Sequence, residues 1–136
     1  MRAFLTLLCS VLVCLGLTVA AFGQSAPEVS EGSLRRMAIK TVMPTYPTDS
    51  INRGSTGVAV SQLIFDEAGV VIKVDILEAP DKSISDEIKK ALQQWTFRPS
   101  RLRDENGPPT KIQGKLTFYF VVEKGQARVE NPKQFK

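Results

Sequence analysis

No histidine occurs anywhere in the 136 residues. That removes the side chain most often used as a general base and as a metal ligand near neutral pH. Thiols are nearly as scarce. Cys9 and Cys14 both fall in the apolar N-terminal run, so the rest of the chain has no disulfide, no cysteine nucleophile and no zinc-binding thiolate. Neither sign of charge dominates: 18 Lys+Arg face 14 Asp+Glu, for a net charge of +4, and the charges are interspersed. This suits acidic partners or anionic surfaces but lacks the clustered basic footprint of a nucleic-acid binder. There is no internal repeat, no low-complexity tract and no proline-rich spacer. No serine sits in a nucleophile motif, and Asp81, Asp86, Glu87, Asp104 and Glu105 read as solvated acids. No enzyme, catalytic residue, metal or cofactor is expected.

The N-terminus carries what the rest lacks. Arg2 precedes an uncharged, largely apolar stretch from Ala3 to Gly23. Ala21 and Gly23 suit a small-residue cleavage site before Gln24, so residues 1–23 read as a secretory signal. The rival reading is an uncleaved anchor, because about 20 helical residues span roughly the 30 Å hydrocarbon layer. A lipoprotein signal is disfavoured, since Leu12 and Val13 precede Cys14. Each of these readings exports the domain.

Residues 24–43 are polar and weakly periodic and read as a linker, with Leu34, Met37, Ala38 and Ile39 as a short helix or an extended lead-in strand within it. Tyr46-Pro47 sets an extended entry to a short helix, Thr48 to Arg53, stopped by Gly54. From Gly57 to Asp66 the chain alternates as a strand, with Ala59, Ser61, Leu63 and Phe65 on one face and Val58, Val60, Gln62 and Ile64 on the other. Asp66 to Gly69 makes a hairpin turn with Gly69 at positive φ, and Asp66 shapes that turn. Val70 to Glu78 returns antiparallel. Ser83 or Ser85 caps a following helix whose stripe is Ile84, Ile88, Ala91, Leu92 and Trp95. Residues 101–110 form a polar loop. Lys111 to Val122 is the longest strand, with Gly114 permitting a bulge or a close backbone approach. Residues 123–136 read as a flexible tail.

These elements predict an α+β fold: a three-stranded antiparallel sheet packed against helices on one face. So small a sheet has two edges, and the last strand is taken as one of them. Lys111 and Lys115 guard its start, while Phe118 to Val122 has no guard. The candidate partner-binding residues are therefore Lys115, Leu116, Thr117, Phe118, Tyr119, Phe120 and Val121. Among the basic residues, Lys89, Lys90, Arg98, Arg101 and Arg103 read as a solvated face, and Arg98, Arg101 and Arg103 are the candidate contacts to an acidic segment or a lipid head group. Val58, Val60 and Ile64 make an apolar strip facing away from the helices. It meets a partner or is covered by residues 34–39. Trp95, Phe97 and Pro99 are read as structural.

Residues 44–122 resemble the C-terminal domain of TonB-type energy transducers. The resemblance is carried by Tyr46-Pro47, Gly54, Gly57, Phe65-Asp66-Glu67-Ala68-Gly69, Ala91, Trp95-Thr96-Phe97-Arg98-Pro99 and Leu116-Thr117-Phe118-Tyr119-Phe120. The Trp-x-Phe-x-Pro element after a helix is the most specific part. Two features depart from the family: Glu78-Ala79-Pro80 and Ile84-Ser85 replace its usual lead into the helix, and its long proline-rich spacer is missing. The segment between Phe22 and Pro44 reaches roughly 70–75 Å when fully extended. The resemblance implies a non-catalytic periplasmic module for energy-coupled transport. Its edge strand would pair with a peptide segment of an outer-membrane receptor, and an uncleaved anchor would couple it to a proton-driven inner-membrane complex. The alternative is a structural homodimer or adaptor without a transport role.

Overall fold

The structure, a computed structural model, describes residues 26–99 and 110–132. In chain order its elements are β1 (Glu28–Val29), α1 (Glu31–Met37), β2 (Ala38–Lys40), α2 (Thr48–Asn52), β3 (Gly57–Phe65), β4 (Val71–Glu78), α3 (Lys82–Leu92), β5 (Thr96–Phe97), β6 (Ile112–Glu123) and β7 (Gln126–Glu130). The class is α+β, as the periodicities predict. The main sheet has five strands rather than three, in the order β1-β6-β3-β4 with β7 also on β6, while β2 and β5 pair separately.

The centre of the sheet follows directly from alternation. β3 pairs antiparallel with β6 without a break, from Gly57 opposite Phe120 to Phe65 opposite Ile112. One face of this pair buries Ala59, Ser61, Leu63 and Phe65 with Leu116, Phe118 and Phe120. Onto that face α3 lays Ile84, Ile88, Ala91 and Leu92, all buried as the helical stripe requires. Trp95 closes the layer. It is 2% exposed, its indole N–H donates to the Val42 carbonyl at 2.9 Å, and its ring meets Phe118 edge-on at 6.5 Å.

The hairpin between β3 and β4 is set by two residues. The Asp66 carboxylate accepts from the N–H groups of Ala68 and Val70, and Gly69 has φ 84°. β5 docks on this turn, because the Phe97 N–H donates to the Gly69 carbonyl at 2.9 Å. Phe97 in turn stacks on Phe65 at 4.2 Å.

Three expectations are corrected. Residues 28–40, expected as a linker with a short helix or lead-in strand from Leu34 to Ile39, hold both, as α1 and β2, together with β1, and Leu34 is fully buried against the core. Leu34 therefore packs on the helix-covered side and does not cover the Val58 strip, where Val58 and Tyr119 stay 37% exposed. Residues 126–130, expected as frayed tail, form β7. Lys124 and Gly125, with φ 51° and 74°, make the two-residue turn that returns the chain onto β6.

The N-cap of α3 is Asp81, not Ser83 or Ser85. Its carboxylate accepts from the Ile84 N–H at 2.9 Å and the buried Ser50 hydroxyl at 3.0 Å, and it pairs with Arg53 at 3.0 Å. Asp81 thus ties α2 to α3 and is not a solvated acid. Burial pushes its pKa up, but hydrogen bonds from Ile84, Ser55, Ser50 and Arg53 together outweigh burial and hold it well below the usual carboxylate range. A depressed folded pKa stabilises above the unfolded value of about 3.9, and that stability is lost as the pH falls further. Asp81→Asn keeps a capping oxygen but removes the titration. Its urea midpoint between pH 5 and pH 2.5 is expected to fall less than that of the unmodified protein. Asp81→Ala is expected to cost about 1–2 kcal/mol at pH 7 as a lost cap.

Candidate partner-docking flank of the sheet

An extended peptide adds to a sheet only where a strand offers a free row of N–H and C=O groups. The β4 side is poorly suited. Its pairing with β3 shifts register near both ends, leaving Ile72 and Leu77 with no partner across the ladder. Such bulges twist an edge out of flat pairing. On its outer face Lys73 and Asp75 pair with each other at 3.2 Å.

The β6 side is different, and it overturns the expected open edge. β6 is an interior strand. Across from β3, its outer flank is closed by three separate pieces. β1 pairs parallel at Gln113 and Gly114, and β7 pairs antiparallel from Tyr119 to Glu123. Gly114 makes the close approach of β1 and α1 workable, since a Cβ there would lie 2.9 Å from Leu34 and 3.3 Å from the Val29 carbonyl.

Between these two short strands sits Thr117, and side chains serve it instead of a backbone. The Thr117 N–H donates to the Glu31 carboxylate at 2.9 Å, and its hydroxyl donates to the other oxygen at 3.0 Å. Its carbonyl accepts from Arg35 at 2.8 Å. Arg35 is itself held by Glu31 at 2.9 Å, and its guanidinium lies 5.4 Å over the Phe118 ring. The pair is well shielded, with side chains 12% and 16% exposed. One turn of α1 thus occupies the place of a strand, because residues four apart share a helix face and Ser30 caps that helix next to the sheet.

The seven strand residues read from the sequence divide accordingly. Leu116, Phe118 and Phe120 point into the core, Lys115 and Tyr119 are exposed, and Thr117 and Val121 are half-buried. Arg98 is exposed, and its backbone N–H donates to the Met37 carbonyl at 2.9 Å. Arg101 and Arg103 lie outside the described residues. The sequence reading missed Glu31, Arg35 and Asn131, which Arg35 reaches at 3.0 Å. A legible signal existed for two of them: a capping serine followed by acid and base four residues apart. For β7 the signal was Lys124-Gly125 followed by alternating Ala127 and Val129. No group of three acidic or thiol side chains among the described residues could hold a metal ion. No helix among them is long and apolar enough to cross a membrane.

Comparison with known proteins gives the family. Residues 42–122 match the family described as the Gram-negative bacterial TonB protein C-terminal. Protein TonB of Yersinia enterocolitica is 35% identical over 81 residues, which cover 59% of this chain and 31% of that protein. The match thus spans about a third of that relative's length. The solution NMR structure of the Pseudomonas aeruginosa TonB CTD superposes with a TM-score of 0.51 at 25% identity, covering 64% of this chain and 86% of that one. With more than half of its length matched, the chain belongs to the TonB C-terminal domain family.

Proposed function

We propose that this protein is a non-catalytic, periplasmic protein-binding module in energy-coupled transport, and that it docks an extended segment of an outer-membrane receptor on the outer flank of β6. The observation that carries the reading is the piecemeal closure of that flank: two residues of β1, one side-chain pair, and five residues of β7. A continuous peptide replaces β7 at little net cost, because each main-chain bond lost is remade. Docking outside β7 gains backbone bonds alone. Docking in its place must also match the burial that β7 gives up, since Val129 packs against the core. Main-chain bonds, each on the order of 0.5–1.5 kcal/mol net, largely cancel in the exchange, so a five- or six-residue segment binds weakly to moderately. Of the row from Lys115 to Val121, exchange with β7 frees Tyr119 to Val121, while Glu31 and Arg35 keep Thr117.

Family membership supports the transport role, and the apolar N-terminal run supports export by a signal or retention by an inner-membrane anchor. With the anchor kept, the proton-driven inner-membrane complex is the second partner. Titration of the isotope-labelled protein with a synthetic receptor segment tests the docking. Amide shifts are expected at Tyr119 to Glu123, together with loss of exchange protection in β7. Binding that leaves those amides silent while β4 responds would sink the reading. A structural homodimer is the second reading. It is favoured by exposed Val58 and Tyr119 beside a hollow of about 280 Å³ lined by Thr56, Gly57 and residues 119–122. A tight, peptide-indifferent dimer by sedimentation would select it.

A further inference from the structure

β7 is an internal occupant of the docking flank, so its contacts reveal what the flank selects. We infer that a hollow at the end of this flank is an anchor site for one asparagine side chain of the incoming segment, placed directly after its five paired residues. The inference rests on the docking reading above.

The register defines the position. β7 runs antiparallel to β6 and its pairing ends with Glu130 opposite Tyr119. The next residue, Asn131, turns its side chain to Arg35. The Arg35 Nε and Nη2 are committed to Glu31 at 3.1 and 2.9 Å, and Nη2 also serves the Thr117 carbonyl at 2.8 Å. Nη1 is aimed along the flank and donates to Asn131 Oδ1 at 3.0 Å. Around this contact lies a hollow of about 170 Å³ lined by Arg35, Thr41, Met43, Trp95 and Asn131. Arg35 is fixed on both faces of its fork, so the remaining donor is pre-oriented and little rotamer freedom is lost when an acceptor arrives.

The charge state selects the acceptor. Glu31 already offsets the Arg35 charge at 2.9 Å. A carboxylate in the hollow would add a second negative charge facing Glu31. A carboxamide oxygen accepts the same hydrogen bond without that repulsion. The anchor is therefore an asparagine, not an aspartate or a chain-terminal carboxylate.

The test uses the full chain carrying Asn131→Ala, whose own β7 has lost the anchor. The probes are acetylated, amidated peptides with the sequence of residues 124–132, bearing Asn, Ala or Asp at the position of Asn131. The Asn peptide is expected to bind about tenfold more tightly than the Ala peptide, as for one hydrogen bond to a charged donor. It is also expected to shift the Arg35 Nε–H resonance. In the double variant with Arg35→Lys the preference is expected to shrink below about twofold, because a point charge does not reproduce the fork. Equal binding of the Asn and Ala peptides, with shifts at Tyr119 to Glu123, overturns the anchor and leaves the docking reading standing. Tighter binding of the Asp peptide overturns the carboxamide assignment and makes the hollow an anion site. No shift at Tyr119 to Glu123 with any peptide overturns both the anchor and the docking.

Discussion

Gly69→Ala is expected to lower the stability of the folded domain by on the order of 4 kcal/mol, read from urea unfolding. Two costs combine. Gly69 has φ 84°, a conformation that costs an alanine roughly 1–2 kcal/mol. A Cβ at this position would also lie 1.9 Å from the Phe97 carbonyl oxygen and 2.7 Å from its carbon. Both are backbone atoms, so no rotamer change relieves the overlap, and overpacking of this kind adds about 1–3 kcal/mol. Gly125 is the control. Its φ is 74°, but nothing lies within 4 Å of its missing Cβ. Gly125→Ala is therefore expected to cost only the conformational part, about 1–2 kcal/mol. Equal losses at the two sites would show that the close contact of the β3–β4 turn with β5 is wrong.

Trp95→Ala is expected to cost about 3–5 kcal/mol, the range for deleting a large buried aromatic. The indole is 2% exposed, bonds to Val42 and packs near Phe97 and Phe118 at centroid distances of 6.2 and 6.5 Å. Against a typical total of about 5–15 kcal/mol, this places the variant close to unfolding at 37 °C. Trp95→Phe retains the core plug and loses chiefly the bond to Val42, so it is expected to cost no more than about 2 kcal/mol. Near-native stability of Trp95→Ala would place the tryptophan outside the core. The hollow beside Arg35 is also lined by Trp95. Binding of the Asn131-bearing peptide is accordingly a second readout of Trp95→Phe, separable from stability because that variant stays folded.

The docking flank and the core respond to different chemistry. The core depends on apolar packing between α3 and the β3–β6 pair. The flank depends on Glu31, Arg35 and Thr117, whose contacts join residues 82 and 86 positions apart in the chain. Removing either charged partner would leave the other shielded and poorly satisfied, which is costlier than losing a surface ion pair. On the proposed docking, α1 is part of the binding apparatus as well as of the fold.

Local periodicity and turn chemistry determined the interior of this protein. Alternation at Ala59, Ser61, Leu63 and Phe65, and again at Leu116, Phe118 and Phe120, assigned the buried face correctly, since a strand has only two faces. The stripe from Ile84 to Trp95 and the Asp66–Gly69 turn were equally readable, because each is encoded within a few neighbouring residues. Tertiary structure alone decided what happens at the margins of the sheet. Alternation says which way a side chain points but nothing about whether the backbone beside it has a neighbour. β1, two residues long, is too short for a periodic signal, and the turn and alternation that mark the five residues of β7 do not say which strand they join. The third closure is not a strand at all, but a carboxylate and a guanidinium held by one helical turn. Pairing energy there depends on groups far apart in the chain meeting at one register, and no window of sequence contains both halves.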